Sequence, residues 1–225
     1  MKKLVYNILP LSLLVILPLL GMVYNKLNNA DRGVYSVMTD LDTLIPFIKI
    51  FVIPYVIWFP YILLCFIFYC FKERGTYYTA LISFIIGQMV CFVIYYFFQT
   101  ITPRPEVIGT DYLSRMVQYI YQSDNPYNCF PSIHVFTTYL MMKAMNDSNI
   151  KHFFLTCCIN VIGTFIILST IFIKQHAVLD AVFGILLASI TYTIVTQVGR
   201  SWVSRHAIYQ RVRIPKRLTK KEMEL

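Results

Sequence analysis

The sequence predicts an all-α, polytopic membrane protein with six transmembrane helices, and three observations lead there. Of its 225 residues, 57% are apolar or aromatic and only 14% are charged, where a soluble domain carries about 25%. The mean hydropathy is +0.61. The apolar residues gather in runs long enough to cross a hydrocarbon layer of about 30 Å as helices. So few polar groups could not cover a surface in water, so most of the outside must face lipid. The same numbers exclude a disordered chain, a disulfide-stapled secreted module and a soluble nucleic-acid binder, although the formal charge is +9.

The runs fall at about residues 4–24, 47–71, 77–98, 153–173 and 177–199, with a shorter sixth at about 132–145. The first follows Lys2 and Lys3 as a signal peptide would. It is long, however, and ends in Gly21-Met22-Val23-Tyr24-Asn25 without a small-x-small cleavage site, so it reads as a retained anchor. The 20 Lys and Arg divide unevenly between the two sides these spans define. One side holds Lys2, Lys3, Lys72, Arg74, Lys143, Lys151 and the tail residues Arg200, Arg205, Arg211, Arg213, Lys216, Arg217, Lys220 and Lys221. The other holds Lys26, Arg32, Lys49, Arg104, Arg115 and Lys174. Positive loops stay in the cytoplasm, which predicts both termini inside.

The chain reads as a single membrane domain over 1–225, with 200–225 a basic cytoplasmic tail facing anionic lipid. That tail directly follows a span and carries no recognition motif, so no nucleic-acid partner is expected. Five of the six cysteines, Cys65, Cys70, Cys91, Cys157 and Cys158, lie within apolar runs as small hydrophobes. Cys129 alone falls on the outer side, and no structural disulfide is expected.

One loop stands out, from about Gln99 to Pro131. It contains Thr102-Pro103-Arg104-Pro105 and then a segment in which Leu113, Val117, Ile120 and Tyr121 share one helical face. Two readings stay open for that segment: an interfacial helix lining a lateral entrance for a lipid, or a loop packed on the bundle. The loop ends in Cys129-Phe130-Pro131-Ser132-Ile133-His134, where Pro131 and Ser132 suit a helix start. Ser132 and His134 would therefore sit among free amides at the positive end of a helix dipole, a ready anion site. A histidine here can equally be a satisfied packing residue.

The second polar cluster, Ser169 to Asp180, lies at the outer turn between the last two spans. His176 and Asp180 are four apart, on one helical face and within reach of each other. An ionisable pair in a span is costly and is usually functional. A carboxylate that accepts one ring N–H fixes the tautomer and leaves the other nitrogen free to attack. The pair could instead pin two helices together. Two histidines, a carboxylate, helix-start amides and the cations Arg104 and Lys174 all fall on the outer face and together suit a phosphoryl group. His134, His176 and Asp180 could also form a two-histidine, one-carboxylate metal set. Arg104 and Lys174 would repel a divalent cation there, so neither metal nor cofactor is expected.

At these residues the chain resembles the type 2 phosphatidic acid phosphatase superfamily, membrane relatives of the vanadium haloperoxidases with six spans and three motifs. The first, Lys-x6-Arg-Pro, survives as Arg104-Pro105 with Phe97 at the lysine position. The second, Pro-Ser-Gly-His, reads Pro131-Ser132-Ile133-His134. In the third, Ser-Arg-x5-His-x3-Asp, Ser169, His176 and Asp180 hold the spacing while Thr170 stands at the arginine position. The match covers roughly residues 75–195.

The resemblance implies a helical bundle of that type, with His176 as the nucleophile forming a phosphohistidine, Asp180 orienting it and His134 as general acid. Arg104, Ser132 and Ser169 would hold the phosphate, and Lys174 is offered as a replacement for a missing motif cation. The altered first motif and Ile133 also resemble the lipid phosphotransferase branch, which includes the inositol phosphorylceramide and sphingomyelin synthases.

The expected function is a membrane lipid phosphatase acting on a lipid phosphate or pyrophosphate ester at the outer face. Its partners are the lipid bilayer and a membrane lipid phosphate substrate. The alternatives are a phosphotransferase moving a phospho-head group to a lipid or polyol hydroxyl, and a non-enzymatic transporter or lipid-binding protein. Compactness and the lack of a targeting extension point to a bacterial plasma membrane.

Overall fold

The computed structural model describes residues 9–213, with side chains to Trp202. Lys2, Lys3 and residues 214–225 of the basic tail lie outside the described residues. Eight α-helices follow in order: α1 Ile16–Leu27, α2 Asp40–Leu44, α3 Val52–Lys72, α4 Arg74–Phe97, α5 Tyr112–Ser123, α6 Ile133–Asp147, α7 Phe153–Phe172 and α8 Val178–Arg213. Short 3-10 turns at Leu13–Val15 and Lys49–Phe51 lead into α1 and α3. Among the described residues no strand forms beyond one isolated bridge, Tyr35 to Thr100.

Five helical stretches are long and apolar enough to cross a membrane: Leu9–Leu27, Lys49–Lys72, Arg74–Phe97, Phe153–Phe172 and Val178–Trp202. They match the five long apolar runs to within a few residues and make this an integral membrane protein. The sixth predicted run becomes α6, whose 15 residues reach roughly 22 Å at about 1.5 Å per residue. That is short of a full crossing.

What α6 lacks in length it makes up in enclosure. It packs against α3, α4, α7 and α8, and Val135, Phe136, Leu140, Met141, Ala144 and Met145 are wholly buried. A helix buried on every side belongs in the centre of a bundle. Its hydroxyls are satisfied locally, since Thr137 and Thr138 donate to the carbonyls of Ile133 and His134 at 2.8 and 2.6 Å. The outer helices instead leave large apolar side chains such as Leu64, Val93, Phe165 and Ile194 exposed, as a lipid solvent requires.

The amphipathic segment folds as α5. Val117 and Ile120 are buried, and Leu113 and Tyr121 pack beside them, against Val52, Tyr55 and Ile173. The periodicity thus identified the face, and that face is covered by α3 and the end of α7. Asp111 caps the helix by accepting from the Ser114 amide at 3.2 Å. The short α2 is absent from the sequence reading. It carries a capping box in which Thr39 and Asp42 bond reciprocally.

Two devices seat the first turn of α6. The Ser132 amide donates to the carbonyl of Asp180 in α8 at 3.1 Å. Gly184 lets the two backbones approach, because a Cβ there would stand 2.9 Å from the Ser132 carbonyl oxygen. Gly184→Ala should therefore force the helices apart and cost about 1–3 kcal/mol, read as a lower thermal midpoint in detergent. Gly75→Ala, with nothing within 4 Å of the new methyl, should leave the midpoint near that of the parent.

Candidate active site

The site grows from the turn between α7 and α8. After Phe172 the helix closes in a Schellman motif: Gln175 N–H bonds Thr170 O at 2.9 Å and Lys174 N–H bonds Ile171 O at 3.0 Å. Lys174 occupies the left-handed position with φ of 54°, where a residue other than glycine costs about 1–2 kcal/mol. Two hydrogen bonds offset that cost, from Lys174 Nζ to the carbonyls of Asp42 at 2.8 Å and Ile45 at 2.6 Å. Asp42 then closes the far side of the turn, where its Oδ1 accepts from the Val178 amide at 2.7 Å in the first turn of α8. The loop around α2 thus brackets residues 174–178.

Inside this bracket His176 meets Asp180 and the end of the long loop. His176 Nδ1 lies 3.1 Å from the Cys129 carbonyl and 3.5 Å from Asp180 Oδ2. Both partners only accept, so the ring proton belongs on Nδ1 and Nε2 carries the lone pair. Asp180 is fully buried. Its Oδ2 is fixed by the Ala177 amide at 2.8 Å, and its Oδ1 has no partner.

His134, in the first turn of α6, presents Nδ1 to His176 Nε2 at 3.3 Å, and its Nε2 lies 3.2 Å from the Tyr55 hydroxyl. Since His176 Nε2 accepts, His134 Nδ1 donates, leaving Nε2 to accept from Tyr55. One consistent set of protons therefore runs from Tyr55 through both histidines to Cys129 and Asp180. Ser132 is the N-cap of α6 and accepts from the Val135 amide at 3.3 Å, as Pro131-Ser132 suggests in sequence.

The cations are arranged differently from one another. Arg104 Nη1 donates to Asp124 O at 2.6 Å and Tyr121 O at 3.2 Å, and Nη2 donates to Gln175 Oε1 at 2.5 Å, one residue from His176. Its Nε and the amide nitrogen of Gln175 are buried without partners. Lys174 is turned to the loop around α2, and using its ammonium on a phosphate would break the two bonds that support its strained backbone. Ser169 is buried and its hydroxyl donates back to Ile166 O at 2.6 Å.

Sequence reasoning did not single out Tyr55, Gln175, Asp42 or Asp124. Tyrosine is too common here to mark a position, with 17 in the chain. Acidic residues are scarcer, 11 in all, and an acid just after an amphipathic segment was a usable signal for Asp124.

A cavity of about 490 Å³ reaches His134 from the side. Its walls are mainly apolar residues of α1 and α3, including Leu17, Leu20, Val56 and Phe59, and Ile120 and Ser123 of α5 close one edge. The amphipathic helix therefore both packs on the bundle and lines the cavity.

Cys129, His176 and Asp180 offer potential metal-binding atoms within 4.8 Å of one another. Burial, and then the neighbouring Asp180, push the Cys129 thiol up to about 12. Its Sγ–H donates to the Pro126 carbonyl at 3.3 Å.

These observations define a membrane helical bundle with a buried His-His-Asp constellation at one end of its central helix. The sequence profile of the PAP2 superfamily matches residues 76–204, and the chain belongs to that superfamily, whose members are phosphoric ester hydrolases and phosphotransferases. Among solved structures the chain is similar to the crystal structure of Aquifex aeolicus LpxE, at 16% identity and a TM-score of 0.46, covering 80% of this chain and 94% of that one. No curated protein matches the chain significantly.

Asp42 supplies a test of the bracket. Burial alone would raise its carboxyl, but hydrogen bonds from Thr39 and Val178 outweigh it and hold the group below the usual carboxylate range. A depressed folded value means that its contribution is present above about pH 4, the unfolded value, and is lost as pH falls through the folded one. Asp42→Ala should cost about 1–2 kcal/mol at neutral pH by removing the cap. The gap in thermal midpoint between variant and parent should close as the pH is lowered.

Proposed function

We propose that this protein is a membrane lipid phosphatase that cleaves a lipid phosphate or pyrophosphate ester through a phosphohistidine on His176. The observation that carries the reading is the geometry of the two histidines. A lone pair on His176 Nε2, backed by Nδ1–H against Cys129 O and Asp180, is an oriented nucleophile. His134, 3.3 Å away, is the donor for a leaving oxygen once it is protonated on both ring nitrogens.

In the first step Nε2 forms a bond to phosphorus, the ester P–O bond breaks, and the alcohol oxygen leaves with a proton from His134, which enters the step as the imidazolium and ends it neutral. Asp180 stabilises the positive charge that appears on His176. In the second step water attacks phosphorus, His134 takes its proton, and the P–N bond breaks with its electron pair returning to Nε2. Arg104, Ser132 and Ser169 are assigned to the phosphate. Lys174 is assigned a structural role in the turn in place of the phosphate-binding one.

The charge distribution of the loops supports both termini in the cytoplasm and the site at the outer face, which requires the chain to pass the membrane a sixth time in the region of α6. A second reading, transfer to a lipid or polyol hydroxyl, is favoured by Phe97 and Ile133 at motif positions. The chemistry is the same until the acceptor arrives.

Purified protein in detergent should release phosphate from lipid phosphates and be inhibited by vanadate, which mimics the five-coordinate phosphoryl transition state. His176→Ala should abolish release. Asp180→Asn should lower turnover by about 10²–10⁴-fold without loss of folded protein. Acid-labile, base-stable phosphate should appear on the parent chain during turnover and be absent from His176→Ala. Near-parental turnover by His176→Ala would overturn the assignment.

A further inference from the structure

The cavity beside His134 contains a second polar group that the phosphoryl chemistry does not use. Asp124, at the C-terminal cap of α5, lines the cavity together with Tyr24, Tyr55 and His134. Its Oδ1 is fixed by the Tyr24 hydroxyl at 3.1 Å and the Asn28 amide at 2.7 Å. Among the described residues, none donates to Oδ2. The Asp124 backbone carbonyl holds Arg104, and the carboxylate feels both Arg104 and His176 electrostatically. It therefore links the cavity wall to the Arg104 and His176 side of the site. Burial pushes its carboxyl up, against the pull of Arg104, Tyr24 and His176.

A carboxylate does not pair with a phosphate oxygen, since both are anionic acceptors. A half-buried acceptor with one free oxygen calls for a donor. An ammonium would have to be stripped of water in a cavity with largely apolar walls, at a cost of several kcal/mol. A neutral hydroxyl satisfies the oxygen without that cost.

We propose that Asp124 Oδ2 binds a hydroxyl held beside the reacting phosphate, so that the cavity selects hydroxylated molecules. This rests on the phosphoryl-transfer reading of the site. The hydroxyl can come from the lipid phosphate itself or from an alcohol acceptor. In the second case the acceptor oxygen forms the new P–O bond, His134 takes its proton, and the P–N bond to His176 breaks with the electron pair returning to Nε2. Asp124 positions the acceptor and takes no part in the bond changes.

The experiment uses the full chain in detergent and two ratios. The first compares kcat/KM for a lysophosphatidate with that for its 2-deoxy analogue of equal chain length, isolating the substrate's own hydroxyl. The second compares phosphoryl transfer to added glycerol with release as free phosphate, isolating an acceptor. The parent should prefer the hydroxylated partner by about tenfold or more in at least one ratio. Asp124→Asn, which puts an amide donor where an acceptor stood, should bring that ratio close to its unbiased value, while the other ratio moves little.

A parent that turns over lipid phosphates with neither preference overturns the inference without needing a variant and leaves the catalytic assignment standing. A preference that survives Asp124→Asn also overturns it. Failure to turn over any lipid phosphate would overturn the phosphoryl-transfer reading and this inference with it.

Discussion

The arrangement depends on the seam between the first turns of α6 and α8. There the Ser132 amide bonds the Asp180 carbonyl, and Gly184 lets the α8 backbone approach within a methyl's width of α6. One histidine is carried by each helix in or just before its first turn. Separating these helix starts by even an ångström would open the 3.3 Å contact between His134 and His176. A group held on two different helices can be this close only where side chains do not keep the helices apart, and here a glycine meets a helix start.

Burying a carboxylate and two imidazoles near membrane depth is expensive, and the surroundings are built to limit the cost. Asp180 Oδ2 has an amide, His176 has a carbonyl and a carboxylate, and His134 has a tyrosine. The Cys129 carbonyl is delivered by a knot at the end of α4. There Gln99 bonds Leu27 O, Asn29 O and Asn128 at once, and Asn128 takes a left-handed φ of 54°. Three distant parts of the chain are tied together there, which fixes the two ends of the long polar loop to each other.

Placement also decides which cations are available. Arg104 is caught between carbonyls of the long loop and Gln175, one residue from His176. Lys174 is nearer in sequence to His176, yet its ammonium serves the turn. With Phe97 and Thr170 at the family's cationic positions, Arg104 is the assigned cation directly linked to the histidine turn.

Much of this was legible in the residues themselves. Apolar runs dictate helices wherever lipid replaces water, because an unpaired backbone group there is prohibitive, so five crossings could be read directly. The spacing of His176 and Asp180 fixed their contact, because four residues make one helical turn, and Pro131-Ser132 fixed the start of α6. The face of α5 followed from its periodicity. What the chain order could not convey was the pairing of distant elements. The α2 loop bracketing the His176 turn, Tyr55 reaching His134 across 79 residues, and Asp124 arriving at the cavity all depend on how the bundle packs. Local pattern determines each helix and its reactive turn, and only the packed bundle decides which side chains from remote helices those turns meet.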